Sequence, residues 1–137
     1  MYVYDTDTIS NTMKKKPSDR LLKKLRTVPQ NMQFTTSVNI AEIYFGIYNS
    51  SNSDILLKAY KERIFPYLSI LPFDTASAEI YGRLKAQMNR KGISVSEPDL
   101  RIASITIQNN FTLITGNTGH FSLISGLKYE DWIKPKL

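Results

Sequence analysis

The chain contains no cysteine, which excludes disulfide frameworks, thiolate metal centres and cysteine nucleophiles. It has one histidine, His120, so a polyhistidine metal site is excluded and only one imidazole base is on offer. Long apolar runs are missing too: nothing approaches the ~20 residues of a membrane span, and no membrane association is expected. The opening residues, MYVYDTDTIS, hold two aspartates and no basic run, so a secretory signal is not expected. What remains is a 137-residue chain, 42% hydrophobic and 22% charged. That composition suits one folded domain, expected over residues 1–137 and in the cytoplasm.

Acidic charge is scarce in one place only. Residues 14–26, KKKPSDRLLKKLR, carry seven basic side chains against Asp19, and so account for the whole formal charge of +6. The rest of the chain is neutral. A stripe of this kind suits a phosphate backbone, because each neutralised phosphate releases a condensed counterion. Lys14, Lys15, Lys16, Lys23 and Lys24 are therefore the candidate RNA-binding residues; a solvated helix face is the alternative.

Strand and helix signals alternate along the chain. YVYD (2–5) reads as a short buried strand, followed by helical patterning that breaks at Pro17 and resumes in SDRLLKKLR, capped by Ser18 or Asp19. Pro29-Gln30-Asn31 marks a turn, FTTSV (34–38) a strand, and NIAEIYFGIY a helix with Ile40, Ile43 and Ile47 on one line. A polar turn at 49–54 precedes a helix from Ile55 to about Tyr67, then a strand at 68–73. Asp74 is placed to cap a long helix that runs to Gly92. Pro98 opens a helix that is apolar nearly all round, FTLIT (111–115) is a strand, GNTGH a loop, and 127–132 a last edge strand. This order predicts an α/β fold with a parallel sheet and helices on both faces. Ligands of such sheets bind beyond the carboxyl ends of the strands.

That rule gathers Asp5 and Asp7 after the first strand, Glu42 in the helix after the second, Asp99 at the start of the buried helix, and Asn117 after FTLIT. Several carboxylates brought together repel one another and hold their protons more tightly unless a cation intervenes. An oxygen-only donor set suits Mg²⁺ or Mn²⁺, and such ions beside a basic stripe suit phosphodiester hydrolysis. Each acid also has a structural reading: Asp99 as a helix N-terminal acid, Asp7 as an N-cap, Asn117 as a turn residue. Glu42 lies between Ala41 and Ile43 in a helix with few other charges, a costly place unless it is paired or faces a site. His120 reads as a surface or partly packed histidine.

Taken in order, YVYDTDTIS, SVNIAEIYFGI, LPFDTASAEIYGRLKA, ISVSEPDLRIASI and LITGNTGHF resemble the PIN-domain ribonucleases, in particular the VapC toxins of type II toxin–antitoxin modules. The resemblance covers residues 2 to about 132. It implies a PIN-like three-layer α/β/α fold with a central, mostly parallel sheet. It further implies that Asp5, Glu42 and Asp99 hold one or two Mg²⁺ or Mn²⁺ ions, that Asn117 stands at a fourth catalytic position, and that the Thr115 hydroxyl orders the site. An RNA substrate of structured type (tRNA or ribosomal RNA), a cognate VapB-like antitoxin and a homodimer are implied on the same basis. Three positions depart from the pattern. Asp7 stands where relatives often have Asn, Gly119 where they often have a basic residue, and Glu97-Pro98-Asp99 replaces a Pro-Asn-Asp type run. No core acid is lost.

Two other readings compete. Asp5-Thr6-Asp7-Thr8 is similar to the nucleophile motif of haloacid-dehalogenase-like phosphatases, but Ile9 and Ser10 follow where that family has a glycine, and Glu130-Asp131 come too near the end. A catalytically silent PIN-fold RNA-binding module is the other reading. An intact set of acids argues against it, since a pure binder gains nothing from acids facing an anion.

Overall fold

The computed structural model describes residues 1–135. Residues 136 and 137, the end of the expected single domain, lie outside the described residues. Five strands form one sheet: β1 (Tyr2–Tyr4), β2 (Gln33–Thr36), β3 (Ser69–Leu71), β4 (Thr112–Ile114) and β5 (Tyr129–Glu130). Their order is β3-β2-β1-β4-β5, and every neighbouring pair is parallel. β1 is central, with Val3 opposite Phe34 on one side and Leu113 on the other.

Seven helices cover the sheet: α1 (Thr6–Thr12), α2 (Asp19–Thr27), α3 (Ser37–Tyr48), α4 (Ser53–Arg63), α5 (Thr75–Arg90), α6 (Glu97–Gln108) and α7 (Thr118–Phe121). The two-residue period of a strand divides the core between two faces. Val3 and Leu113 point into a cluster with Leu84, Met88, Leu100, Ala103 and Phe121, beneath α5, α6 and α7. Tyr4 and Ile114 point the other way, towards Ile9, Leu21, Ile43, Ile47 and Trp132, beneath α1 to α4. The expected three-layer α/β/α architecture is thus present, and the sheet is wholly parallel. No helix among the described residues is long and apolar enough to cross a membrane.

Element boundaries differ from expectation where tertiary hydrogen bonds decide them. The expected strand 34–38 stops at Thr36, because its side chain accepts from the Asn39 N–H and starts α3 at Ser37. The helix expected from 55 to 67 ends at Arg63 and gives way to a 3-10 turn around Pro66. The strand expected over 68–73 forms over 69–71. Gln30–Met32 form a 3-10 turn, and the loop expected at 116–120 contains the start of α7. The edge strand is only Tyr129–Glu130 rather than 127–132. α6 begins one residue before Pro98, capped by Ser96. Asp74 caps α5 as expected, its carboxylate accepting from the Ser77 N–H, and Ser18 caps α2. At the far end of α5, Gly92 adopts φ +68° while the Ile93 N–H donates to the Met88 carbonyl, a left-handed turn that favours glycine.

Candidate active site

The strand–helix turn after β1 builds the centre of the site. Asp5 has extended backbone and caps α1, its Oδ1 accepting from the Thr6 N–H at 2.9 Å. The cap role expected for Asp7 therefore falls to Asp5, since Asp7 already lies inside the helix. Asp5 is 6% exposed. Its Oδ1 also accepts from Asn39 Nδ2 at 2.9 Å, and its Oδ2 accepts from the Thr115 hydroxyl at 2.7 Å. Thr115 directly follows β4, next to β1 in the sheet, so strand pairing delivers the hydroxyl to the carboxylate.

Asn39 links this centre to Glu42. The Thr36 hydroxyl donates to Asn39 Oδ1 at 2.7 Å, which turns the amide nitrogen towards Asp5 and towards Thr6 Oγ1, 3.1 Å away. The Thr6 hydroxyl in turn donates to Glu42 Oε1 at 2.9 Å. The Asp5 carboxylate, the Asn39 amide and the Thr6 and Thr36 hydroxyls each have a defined partner, which is what allows these polar groups to pack together. Sequence reasoning passed over Asn39. Its signal was its position one helical turn before Glu42, on the same face of α3.

Asp7 holds the loop after β4. Its Oδ2 accepts from the Gly116 N–H at 2.9 Å, and Thr8 Oγ1 lies 3.3 Å from its Oδ1. A Cβ on residue 116 would stand 2.9 Å from Asp7 Oδ2, so a larger residue here would have to push that carboxylate aside. Asn117 follows, its N–H donating to Thr115 Oγ1 at 3.0 Å. Asp99 enters from the first turn of α6, with Oδ2 3.3 Å from His120 Nδ1. The same imidazole nitrogen lies 2.9 Å from Asn117 Nδ2. His120 is exposed, as expected of a surface histidine, yet it touches two candidate site residues.

Asp5, Asp7, Glu42, Asp99 and Asn117 all line one open hollow of about 560 Å³ beyond the carboxyl ends of β1 and β4. Burial pushes the Asp5 carboxyl up to about 6; the neighbouring Asp7 charge adds to this, against hydrogen bonds from Thr115, Thr6 and Asn39. Burial also raises Asp7, with Asp131 adding, and raises Glu42, with Asp99 and Asp7 adding. Among the described residues no lysine or arginine forms an ion pair with any of these acids; the only partner of that kind is His120, at Asp99. Such a set of uncompensated oxygen donors fits a hard divalent cation in its chemistry. As they stand, no three acidic or histidine side chains among the described residues converge closely enough to hold one.

The basic stripe lies elsewhere. Lys14, Lys15 and Lys16 are exposed between α1 and α2, and Lys23 is exposed on α2. Lys24 is half-buried, its Nζ 5.7 Å from the centre of the Trp132 ring. None of these five lysines lines the hollow.

Comparison with known proteins adds to this geometry. A family model described as the PIN domain matches residues 2–127. Ribonuclease VapC2 of Rickettsia felis is 30% identical over 142 residues, covering 98% of this chain and 99% of that protein. The tRNA(fMet)-specific endonuclease VapC of Shigella flexneri is 28% identical over 131 residues, covering 96% and 97%. The crystal structure of VapBC2 from Rickettsia felis, bound to a DNA fragment from their promoter, superposes with a TM-score of 0.87 at 27% identity. That match covers 96% of this chain and 98% of the other.

Proposed function

The chain belongs to the PIN domain family, in its VapC branch, and on that premise we propose that it is a metal-dependent endoribonuclease toxin. It hydrolyses phosphodiester bonds in structured RNA such as tRNA or rRNA, and a cognate VapB-like antitoxin restrains it. One observation carries the reading: Asp5, Glu42 and Asp99 line one hollow, and no lysine or arginine among the described residues pairs with them. The relatives named ribonuclease and tRNA(fMet)-specific endonuclease support an RNA substrate, and a superposed VapBC complex supports the antitoxin. A homodimer belongs to the same proposal.

Asp5, Glu42 and Asp99 would hold Mg²⁺ or Mn²⁺, the ion drawing them closer together than they stand in this structure. Asp5 Oδ1 already accepts two hydrogen bonds and Oδ2 only one, so Oδ2 keeps a lone pair for an ion. When bound, the ion supplies a Lewis acid for the phosphate and makes a water more acidic. Thr115 and Asn39 fix the Asp5 carboxylate, and the Thr6 hydroxyl fixes Glu42. Asp7 ties down the Gly116 backbone and so sets the height of Asn117 over the hollow. Asn117 offers a neutral amide at the rim, able to orient a phosphate oxygen without adding negative charge. Lys14, Lys15, Lys16 and Lys23 are free to contact RNA phosphates away from the scissile bond, with Lys24 a lesser contributor because it packs on Trp132.

The phosphatase reading fits poorly. Both carboxylate oxygens of Asp5 accept hydrogen bonds, which blunts it as a nucleophile, and no lysine among the described residues lines the hollow. A silent RNA-binding module leaves the unpaired acids without a purpose. The deciding experiment incubates the purified chain with total cellular RNA in Mn²⁺, in Mg²⁺ and in EDTA, beside Asp5→Asn and Asp99→Asn. Discrete fragments that need metal and vanish in both variants are expected. Intact RNA in every lane, from folded and antitoxin-free protein, overturns the proposal in favour of the binding module.

A further inference from the structure

α1 runs from the acidic hollow to the basic stripe, and its exposed side joins the two. At about 100° per residue, Thr6, Asp7 and Ser10 fall on one side of this helix, while Thr8 and Ile9 turn into the core. The same three residues line the hollow. The helical turn carries on past Thr12, since the Met13 N–H donates to the Ser10 carbonyl at 3.1 Å and the Lys14 N–H to the Asn11 carbonyl at 3.2 Å. Lys14, four residues after Ser10, is therefore exposed on the side that carries Ser10. The rise between the two is about 6 Å, comparable with the step from one phosphate to the next along a nucleic-acid strand.

The surrounding acids set Ser10 apart. A strand that enters this hollow brings negative charge towards Asp5, Asp7, Glu42 and Asp99, so it needs neutral donors to hold it there. The other donors lining the hollow are engaged within the site: the Thr6 hydroxyl donates to Glu42, the Gly116 N–H donates to Asp7, and Asn117 Nδ2 lies 2.9 Å from His120 Nδ1. The half-buried Ser10 hydroxyl donates instead to the Asp7 carbonyl of its own helix, at 3.2 Å, which is long for an O–H···O bond. Such a bond is readily exchanged for one to a phosphate oxygen, because an ionised acceptor forms the stronger bond.

We propose that Ser10 binds substrate directly: its hydroxyl holds a phosphate next to the scissile one, and Lys14 holds the phosphate after that. α1 is then the track by which RNA passes from the hollow to the basic stripe, and the remaining lysines act farther along the strand. The inference rests on the ribonuclease reading above and deepens it by naming the residues that connect its two charged regions.

The test uses the full chain and, as substrate, the RNA that the wild type cuts in total cellular RNA. Steady-state kcat and KM are read at several salt concentrations, and circular dichroism checks folding. Ser10→Ala is expected to raise KM about tenfold, the scale of one hydrogen bond to a charged group, with a smaller effect on kcat. Ser10→Thr keeps the hydroxyl and should restore the wild-type KM. Ser10→Asp sets a carboxylate against the phosphate; its KM should rise further, and the defect should shrink as salt screens the repulsion. A fault of folding would not respond to salt in this way. Lys14→Ala should raise KM several-fold and lower the salt slope by about 0.7. Unchanged KM in Ser10→Ala and Ser10→Asp, beside a wild type that cleaves, overturns the track alone and leaves Ser10 as a serine bonded to its own helix. Unchanged KM in Lys14→Ala overturns that residue's share of it. A wild type that cuts no RNA overturns the track together with the ribonuclease reading beneath it.

Discussion

Two regions of this molecule concentrate charge, and they do so in opposite ways. The basic stripe is dense in sequence: seven cations within thirteen residues, Lys14, Lys15, Lys16 and Lys23 of which the fold leaves exposed. The acidic hollow is dense only in space, drawing Asp5, Glu42 and Asp99 from the turn after β1, from α3 and from α6. Exposed charges are screened by water and cost the fold little. Buried ones are screened less, so Asp5, the one buried acid of the three, carries an electrostatic cost that an exposed lysine does not. Function that depends on bearing such a cost must be assembled by folding; function that depends only on attraction can be laid along a surface.

The largest expected break in this contrast is catalytic. Asp5→Asn and Asp99→Asn should each lower RNA cleavage by about a thousandfold or more, the scale of losing several kcal/mol of metal-assisted charge stabilisation. Both variants should remain folded by circular dichroism. Replacing any one lysine of the stripe should have a far smaller effect on the same gel.

The second break is in stability, and its sign is opposite to that of activity. The folded Asp5 carboxyl is raised to about 6, above its unfolded value of 3.8. Its contribution is therefore fully favourable below about pH 4, and is lost as pH rises through 6. In EDTA at pH 7, Asp5→Asn should stabilise the protein by up to about 2–3 kcal/mol, since each tenfold change in proton affinity is worth about 1.4 kcal/mol. The advantage should fade as pH is lowered to 4. Urea midpoints at the two pH values measure it, and an advantage independent of pH would show that burial of the charge is not its source.

Within the stripe, one residue should behave unlike the rest. Arg20 donates to the Asp131 carbonyl at 2.7 Å and to the Lys134 carbonyl at 2.8 Å, fastening the segment after β5. Arg20→Ala should lower stability by about 1–2 kcal/mol, the usual worth of hydrogen bonds from a charged donor. Changing Lys14, Lys15 and Lys16 together to Ala should leave the urea midpoint unmoved. It should weaken RNA binding and flatten its salt dependence by about two in the logarithmic slope, because each phosphate that a lysine neutralises on a single strand adds roughly 0.7 to that slope. An unchanged slope would show that these lysines only solvate the surface.

The alternation of strand and helix was legible because local signals agree with it. Asp74 and Gly92 mark the two ends of α5, and Ile43 and Ile47 repeat at helical spacing on α3. Strand ends were less legible. FTTSV continues a strand pattern through Val38, but the Thr36 side chain captures the Asn39 N–H and converts Ser37 and Val38 to helix. The acids of the hollow stood out because a carboxylate among apolar neighbours is anomalous. Asn39 and His120 did not, since a neutral amide in a helix and a lone histidine after a strand are unremarkable until their partners are known. Asp5 and Asp7 exchanged their expected cap role for a similar reason: either side chain can reach a helix N-terminus, and the backbone angles of Asp5 decide which one does.

By itself the sequence determined the layer order of the fold, the apolar faces and the place of the net charge, because periodicity and composition act over a few residues at a time. Only the tertiary structure decided that Thr115 would meet Asp5 across 110 positions. It likewise brought Asp7 to the backbone of Gly116 and His120 to Asp99. A hydrogen bond is specific to a few tenths of an ångström, and the sheet register that delivers these groups is set by pairing between distant strands.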